Sequence, residues 1–207
     1  MSCPILFDMG GVIADSWQPF FSFWSEVLIK LDAEDLATEE QVLALFEGNF
    51  FNKLSQRVAG GRVQHAFINH ARLAHLEFMK NCPSIPDVSE GLQYLAQHFP
   101  LYLITSNFTE AAEHFLNNQN IRCFREIMGV EQSFIKTDKI RTVMKQHPDQ
   151  PCYFVSDTSG DLHEAREAGA VPVAVSWGWH DRKTLEEAKP AFILDNPSEL
   201  LDFSFHI

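Results

Sequence analysis

Three short apolar runs in this chain each stop at a group able to do chemistry. Ile5-Leu-Phe stops at Asp8, Leu101-Tyr-Leu-Ile at Thr105-Ser-Asn107, and Cys152-Tyr-Phe-Val at Ser156-Asp157. Continuous apolar runs of this length suit strands covered on both faces, and in a parallel sheet the carboxyl ends of such strands share one crevice. Asp8, Ser106 with Asn107, and Asp157 are therefore expected to converge although they lie far apart in the chain. Met9-Gly10-Gly11 follows Asp8, and its glycines let backbone approach a ligand and leave amides unshielded. Asp161 follows Asp157 in Val155-Ser-Asp-Thr-Ser-Gly-Asp-Leu, a strand end, a tight loop and a helix start. Carboxylates gathered at buried strand ends repel one another and lose hydration unless a cation joins them, and such hard oxygen donors suit Mg²⁺. Lys136 precedes a helix and can reach the same crevice to neutralise a phosphate or an aspartate, with Lys139 a competitor. Plainer roles stand beside these. Asp8 can cap a turn, Asp161 with Glu164 three residues on can form a capping box, and a lone lysine is most often a surface group.

The elements that must position these groups follow from pattern. Further strands are expected at Val171–Val175 and Phe192–Leu194, with a weak one at Ile127-Met128. Helical patterns over 110–117, 137–146 and 162–168 lie between them, the last stopped by Gly169. Strand and helix in alternation predict a Rossmann-like, three-layer α/β/α core with a parallel sheet. Residues 16–86 break the alternation, with helical patterns over 20–31, 38–46 and 64–80 and the Gly60-Gly61 pair between the last two. The prolines of Cys82-Pro-Ser-Ile-Pro86 block any continuation. The reading is one core of residues 1–15 and 87–207 carrying a small all-helical domain of residues 16–86.

Composition narrows the partners. The chain has 207 residues, 45% of them hydrophobic and 18 of them Phe, enough to bury a core. Its mean hydropathy is −0.13 and its pI near 5.1. A formal charge of −12 repels phosphate backbones and anionic lipid, so neither nucleic acid nor membrane is an expected partner. A bound divalent cation still allows a small phosphorylated ligand. Cys3, Cys82, Cys123 and Cys152 show no C-x-x-C spacing and read as buried thiols of a reducing compartment. With no apolar run long enough for a signal peptide or a membrane span, the cytoplasm is the expected location, as monomer or homodimer.

The order strand–Asp8, strand–Ser106, Lys136, then Ser-Asp157-x-x-x-Asp161 resembles the four motifs of the haloacid dehalogenase superfamily of hydrolases. Phe7-Asp-Met-Gly-Gly-Val-Ile-Ala-Asp-Ser16 is similar to motif one, Leu103-Ile-Thr-Ser-Asn107 to motif two and Lys136-Thr-Asp to motif three. Val155 to Gly169 is similar to motif four. Val173-Ala-Val-Ser-Trp-Gly-Trp179 and Asp195-Asn-Pro-Ser-Glu-Leu200 resemble the phosphoglycolate-phosphatase-like branch, and the helical insert sits where that branch carries a cap. The resemblance implies a Mg²⁺-dependent phosphatase of a small phosphorylated metabolite, in which Asp8 attacks phosphorus and forms an aspartyl-phosphate. It implies that Mg²⁺ sits on Asp8, the Gly10 carbonyl and Asp157, with Asp161 as a further ligand or holding metal-bound water. It also implies that Ser106 and Lys136 bind the phosphoryl group together with amides near Met9, Gly10 and Asn107.

Gly10 departs from the pattern, because phosphatases of this kind carry there a second aspartate that moves a proton. Metal-independent 2-haloacid dehalogenases also lack that aspartate, so this activity stays open beside phosphatase, as does a non-catalytic member that binds a phosphorylated ligand. If only proton transfer is missing, an aspartate at Gly10 should leave activity equal or higher. The aromatic residues of the insert, Trp17, Phe20, Phe21, Phe23, Trp24, Phe46, Phe50 and Phe51, are expected chiefly as its core, and Asp15, Arg57, Arg62 and Asn69 as its polar candidates. His65, His70 and His75, five residues apart, cannot share a helix face. Trp177, Trp179 and His180 follow a strand at the crevice end of the sheet, bordering it or merely packing a loop.

Overall fold

The computed structural model describes residues 3–58 and 72–203. Six parallel strands form one sheet: β1 (Ile5–Phe7), β2 (Leu101–Ile104), β3 (Phe124–Met128), β4 (Tyr153–Ser156), β5 (Val171–Val175) and β6 (Phe192–Leu194), in the order β3-β2-β1-β4-β5-β6. The three expected from uninterrupted apolar runs, β1, β2 and β4, occupy the centre, where every residue is buried. Edge strand β3 carries exposed Arg125 and Glu126, which explains why only Ile127-Met128 showed in the sequence.

Alternate strand residues enter opposite layers. Ile5, Phe7, Leu101, Leu103 and Val155 pack one way, against helices α5 (Val88–Ala96), α6 (Thr109–Asn118) and the insert, whereas Leu6, Ile104 and Phe154 pack the other, against α7 (Lys136–Gln146) and α8 (Ser159–Ala168). Two shorter helices, α9 (Arg182–Glu187) and α10 (Leu200–Phe203), complete the layers. The result is the α/β/α core the alternation predicts. Gly169 ends α8 in the left-handed region, at φ +94°, a conformation that costs glycine little.

The described residues of the insert form helices α1 (Trp17–Lys30), α2 (Glu39–Ala44), α3 (Phe50–Arg57) and α4 (Arg72–Asn81). The helix expected over 38–46 is shorter, passing into a 3₁₀ turn at Leu45–Glu47. The sequence reading missed α3, although Asn49 caps it by accepting from the Asn52 N–H at 3.1 Å. Only the last part of the expected helix 64–80 falls within the described residues. The two segments that join insert to core run side by side: the Asp15 N–H donates to Pro83 O (2.9 Å) and the Ile85 N–H to Ile13 O (2.8 Å). Gly160 of α8 lets the insert close on the core, since a Cβ there would lie 2.3 Å from Gly48 O and 2.6 Å from Phe46 O. The four cysteines are free, and no helix among the described residues is long and apolar enough to cross a membrane.

Candidate active site

Strand β1 pairs with β2 on one side and β4 on the other, so the chain reverses its winding there and a crevice opens at the carboxyl ends. Asp8 stands at that point, its N–H donating to Val155 O at 2.9 Å. The Lys136 ammonium, at the start of α7, lies 2.8 Å from Asp8 Oδ1 and 2.6 Å from Asp161 Oδ2. Ser156 Oγ donates to the same Asp161 oxygen at 2.6 Å. All four residues are buried. The choice between the two lysines falls to geometry: Lys139 Nζ instead donates to Thr105 O (2.7 Å) and Gly129 O (3.2 Å), tying β2's end to the loop after β3. Sequence reasoning had no signal for that brace.

Burial pushes the Asp8 carboxyl up to about 6, against the pull of Lys136 and with the push of Asp161. Lys136 is held in its charged form: burial works against the ammonium, but Asp161 and Asp8 together more than offset it. Burial brings Lys139 down to about 7, helped by the charge of Lys136. Asp157 stays protonated well above the usual carboxylate range, first through burial and then through the negative charge of Asp8.

Asp157 also bears on the metal. Trp179 N–H donates to its Oδ2 at 2.7 Å, while its buried Oδ1 has no hydrogen-bond partner. Gly11 and Gly178 wrap this carboxylate so closely that a Cβ on either would lie 1.9 or 2.4 Å from its Oδ2. A buried carboxylate with one oxygen lacking a donor, beside a second carboxylate, fits a divalent cation. Among the described residues no three His, Cys, Asp or Glu side chains gather into a cage; Asp161 is turned to Lys136 and Ser156.

One sequence expectation is corrected here and another gains a condition. Asp161 and Glu164 form no capping box: Thr158 at the start of α8 makes no side-chain cap, and Glu164 reaches across to accept from the Lys136 and Thr137 N–H groups at 2.8 and 3.3 Å. At Gly10 the structure adds a steric condition to the expectation that an aspartate would leave activity equal or higher. A Cβ there would lie 3.0 Å from Trp179 Cζ2 and 3.1 Å from Ser16 Oγ, and the Trp179 ring is boxed by Trp17, Phe20 and Phe46 at 5.2, 5.0 and 4.9 Å between centroids. Trp179 thus walls the crevice, and an added side chain fits only if Trp179 or Ser16 gives by a few tenths of an ångström.

A cavity of about 40 Å³ lies over Asp8 and Lys136, with Gly10, Ser106 and Asn107 in its lining. That is room for about three waters. Thr105 Oγ1 accepts from both the backbone N–H (3.1 Å) and Nδ2 (3.0 Å) of Asn107, and Met9 is fully buried beneath. The insert aromatics do more than fill their own core, since Phe20, Trp24, Phe46, Phe50 and Phe51 line this cavity. Of the polar candidates, Arg57 pairs with Asp35 at 3.1 Å and Asp15 is exposed, neither lining the cavity. Arg62, Asn69, His65 and His70 lie outside the described residues.

The haloacid dehalogenase-like hydrolase family model matches residues 5–175. The chain belongs to that family. It is 29% identical over 122 residues to a phosphoglycolate phosphatase of Synechococcus elongatus, covering 58% of this chain and 57% of that protein; it spans little more than half of that relative's length. A phosphoglycolate phosphatase of Pseudomonas fluorescens is 24% identical over 95% of this chain and 78% of its own. The fold is shared with a haloacid dehalogenase-like hydrolase of Streptococcus pneumoniae, at TM-score 0.78, 21% identity and 98% coverage of both chains. It is also shared with a hydrolase of Pseudomonas syringae, at TM-score 0.77, 18% identity, and 100% and 99% coverage.

Proposed function

We propose that this protein is a Mg²⁺-dependent phosphatase of small phosphate monoesters, with Asp8 as the nucleophile and residues 16–86 as a cap. One observation carries the reading: Asp8 lies against the Lys136 ammonium at 2.8 Å, beside Asp157 with its orphaned oxygen. In the first step an Asp8 oxygen forms a bond to phosphorus as the ester P–O bond breaks, and the alcohol departs. In the second, water attacks phosphorus, inorganic phosphate leaves and Asp8 is regenerated. Lys136 offsets the charge shared between Asp8 and the phosphoryl oxygens, and Ser106 with the Met9 and Gly10 amides binds those oxygens, joined by the Asn107 amide if it leaves Thr105 Oγ1. Asp8, Asp157 and the Gly10 carbonyl are the groups that would hold Mg²⁺, with Asp161 near enough to Lys136 to fix its ammonium. When bound, the metal supplies Lewis-acid neutralisation of the phosphoryl group. With glycine at position 10, the departing alcohol takes its proton from water. Cap closure limits further water entry.

Phosphate release from a panel of phosphate monoesters, with and without Mg²⁺, beside hydrolysis of 2-haloacids, tests this reading. The expected outcome is release that depends on Mg²⁺. Metal-independent hydrolysis of haloacids with no phosphate released would replace it with a dehalogenase.

A further inference from the structure

Resting on the phosphatase reading, we infer that the cap selects monoesters whose organic part is compact, uncharged and apolar, a short alkyl group or a single aromatic ring. The cavity has two unlike halves. Its polar lining includes Asp8, Lys136, Ser106, Asn107, Ser16 and Thr158. Above them stand Phe20, Trp24, Phe46, Phe50, Phe78 and Trp179. These rings pack on one another, with Trp24 and Phe50 at 4.7 Å, Phe46 and Phe50 at 4.8 Å, and Phe20 and Trp179 at 5.0 Å between centroids. They meet an incoming ligand as an apolar surface that must part to admit it, since the cavity as it stands holds only about 40 Å³.

Cations are missing from that upper half among the described residues. Lys53 pairs with Glu47, Arg57 with Asp35 and Lys80 with Glu77, none of them on the cavity. Of the core cations, Lys136 is committed to Asp8 and Asp161, and Lys139 to two carbonyls. A carboxylate or second phosphate on the organic part would meet no cation among the described residues there, only neutral donors such as Trp179 Nε1 and Thr158 Oγ1, and a polyhydroxylated sugar would give up most of its hydrogen bonds to water. An apolar group loses nothing comparable and gains ring contacts. The specificity so derived differs from that of the relatives named for phosphoglycolate, whose organic part bears a carboxylate.

Benzyl phosphate, butyl phosphate, 2-phosphoglycolate and glucose 6-phosphate are compared as substrates with saturating Mg²⁺. The leaving groups are all alkyl or sugar alcohols, so differences in kcat/KM report on the cap more than on leaving-group reactivity. The expected result is kcat/KM for the benzyl or butyl ester at least about tenfold above both others, with Phe46→Ser narrowing the ratio by about tenfold. Equal rates, or a preference for phosphoglycolate or the sugar phosphate, overturn the inference. Binding separates it from the phosphatase reading: tryptophan fluorescence of the unmodified protein follows benzylphosphonate and phosphonoacetate, neither of which can be hydrolysed. Benzylphosphonate binding at least about tenfold more tightly supports the apolar cap even where no ester turns over, an outcome that sinks only the phosphatase reading. Equal or tighter binding of phosphonoacetate overturns the cap assignment whatever the activity.

Discussion

Gly10 and the two lysines show what single side chains decide. At Gly10 a new Cβ meets the Trp179 ring at 3.0 Å, and Trp17, Phe20 and Phe46 pack around that ring and resist its shift. Gly10→Asp should therefore lower both phosphate release and stability, the latter by about 1–3 kcal/mol, the usual cost of overpacking, as a fall in Tm. An unchanged Tm with higher activity would mean that Trp179 moves aside. Lys136 and Lys139 are both buried, but only Lys136 touches carboxylates. Lys136→Met should lower kcat at least about 10²-fold. Lys139 should show itself through pH. Its folded value of about 7 lies below the unfolded one of about 10.4, so between these the unfolded chain binds more protons and stability rises with pH. Lys139→Met should flatten that rise in a series of thermal melts from pH 7 to 10. An unaltered slope would assign it to other groups.

Among the elements, those that run through the buried sheet were legible and those at its margins were not. β1, β2 and β4 announced themselves because strands covered on both faces need apolar residues throughout; β3 did not, because an edge strand tolerates Arg125 and Glu126. The same reasoning brought Asp8, Ser106 and Asn107 to one cavity, with Asp157 at the neighbouring strand end but outside its lining. It could not foresee contacts that depend on how helices dock. Glu164 was read within its own helix, yet it caps the neighbouring α7 and also accepts from Asn49 Nδ2 of the insert at 3.0 Å. One carboxylate thus links cap, α8 and the helix that presents Lys136. Glu164→Ala leaves two buried N–H groups without an acceptor and should cost about 1–3 kcal/mol in urea unfolding. It should also lower kcat, because the start of α7 loses its anchor. A loss of stability without any change in kcat would leave Glu164 a structural cap alone. His180 makes a second link: its Nδ1 accepts from the Ser159 N–H at 3.1 Å and its Nε2 lies 3.4 Å from Leu43 O of the insert.

For the whole molecule, a net charge of −12 with carboxylates gathered in one crevice means that electrostatic strain and function share a location. Asp8 binds its proton up to about pH 6 when folded and only to about 4 when unfolded, and Asp157 is displaced in the same direction. The folded protein binds more protons in that window. Metal-free stability attributable to these groups is therefore full at about pH 4 and falls as pH rises through 6. A cation held by Asp8 and Asp157 should reverse the trend, so Mg²⁺ should raise Tm more at pH 8 than at pH 5. Asp157→Asn should raise the metal-free Tm at pH 8 and abolish the shift with Mg²⁺. A full Mg²⁺ shift in that variant would move the metal elsewhere.

The central claim is that Asp8 itself attacks phosphorus. Release of inorganic phosphate by the wild type and by Asp8→Asn, each with saturating Mg²⁺, tests it most directly. The amide keeps the size of the side chain but cannot form the aspartyl-phosphate, so release should fall by at least about 10³-fold. Release at the wild-type rate from Asp8→Asn would contradict the assignment.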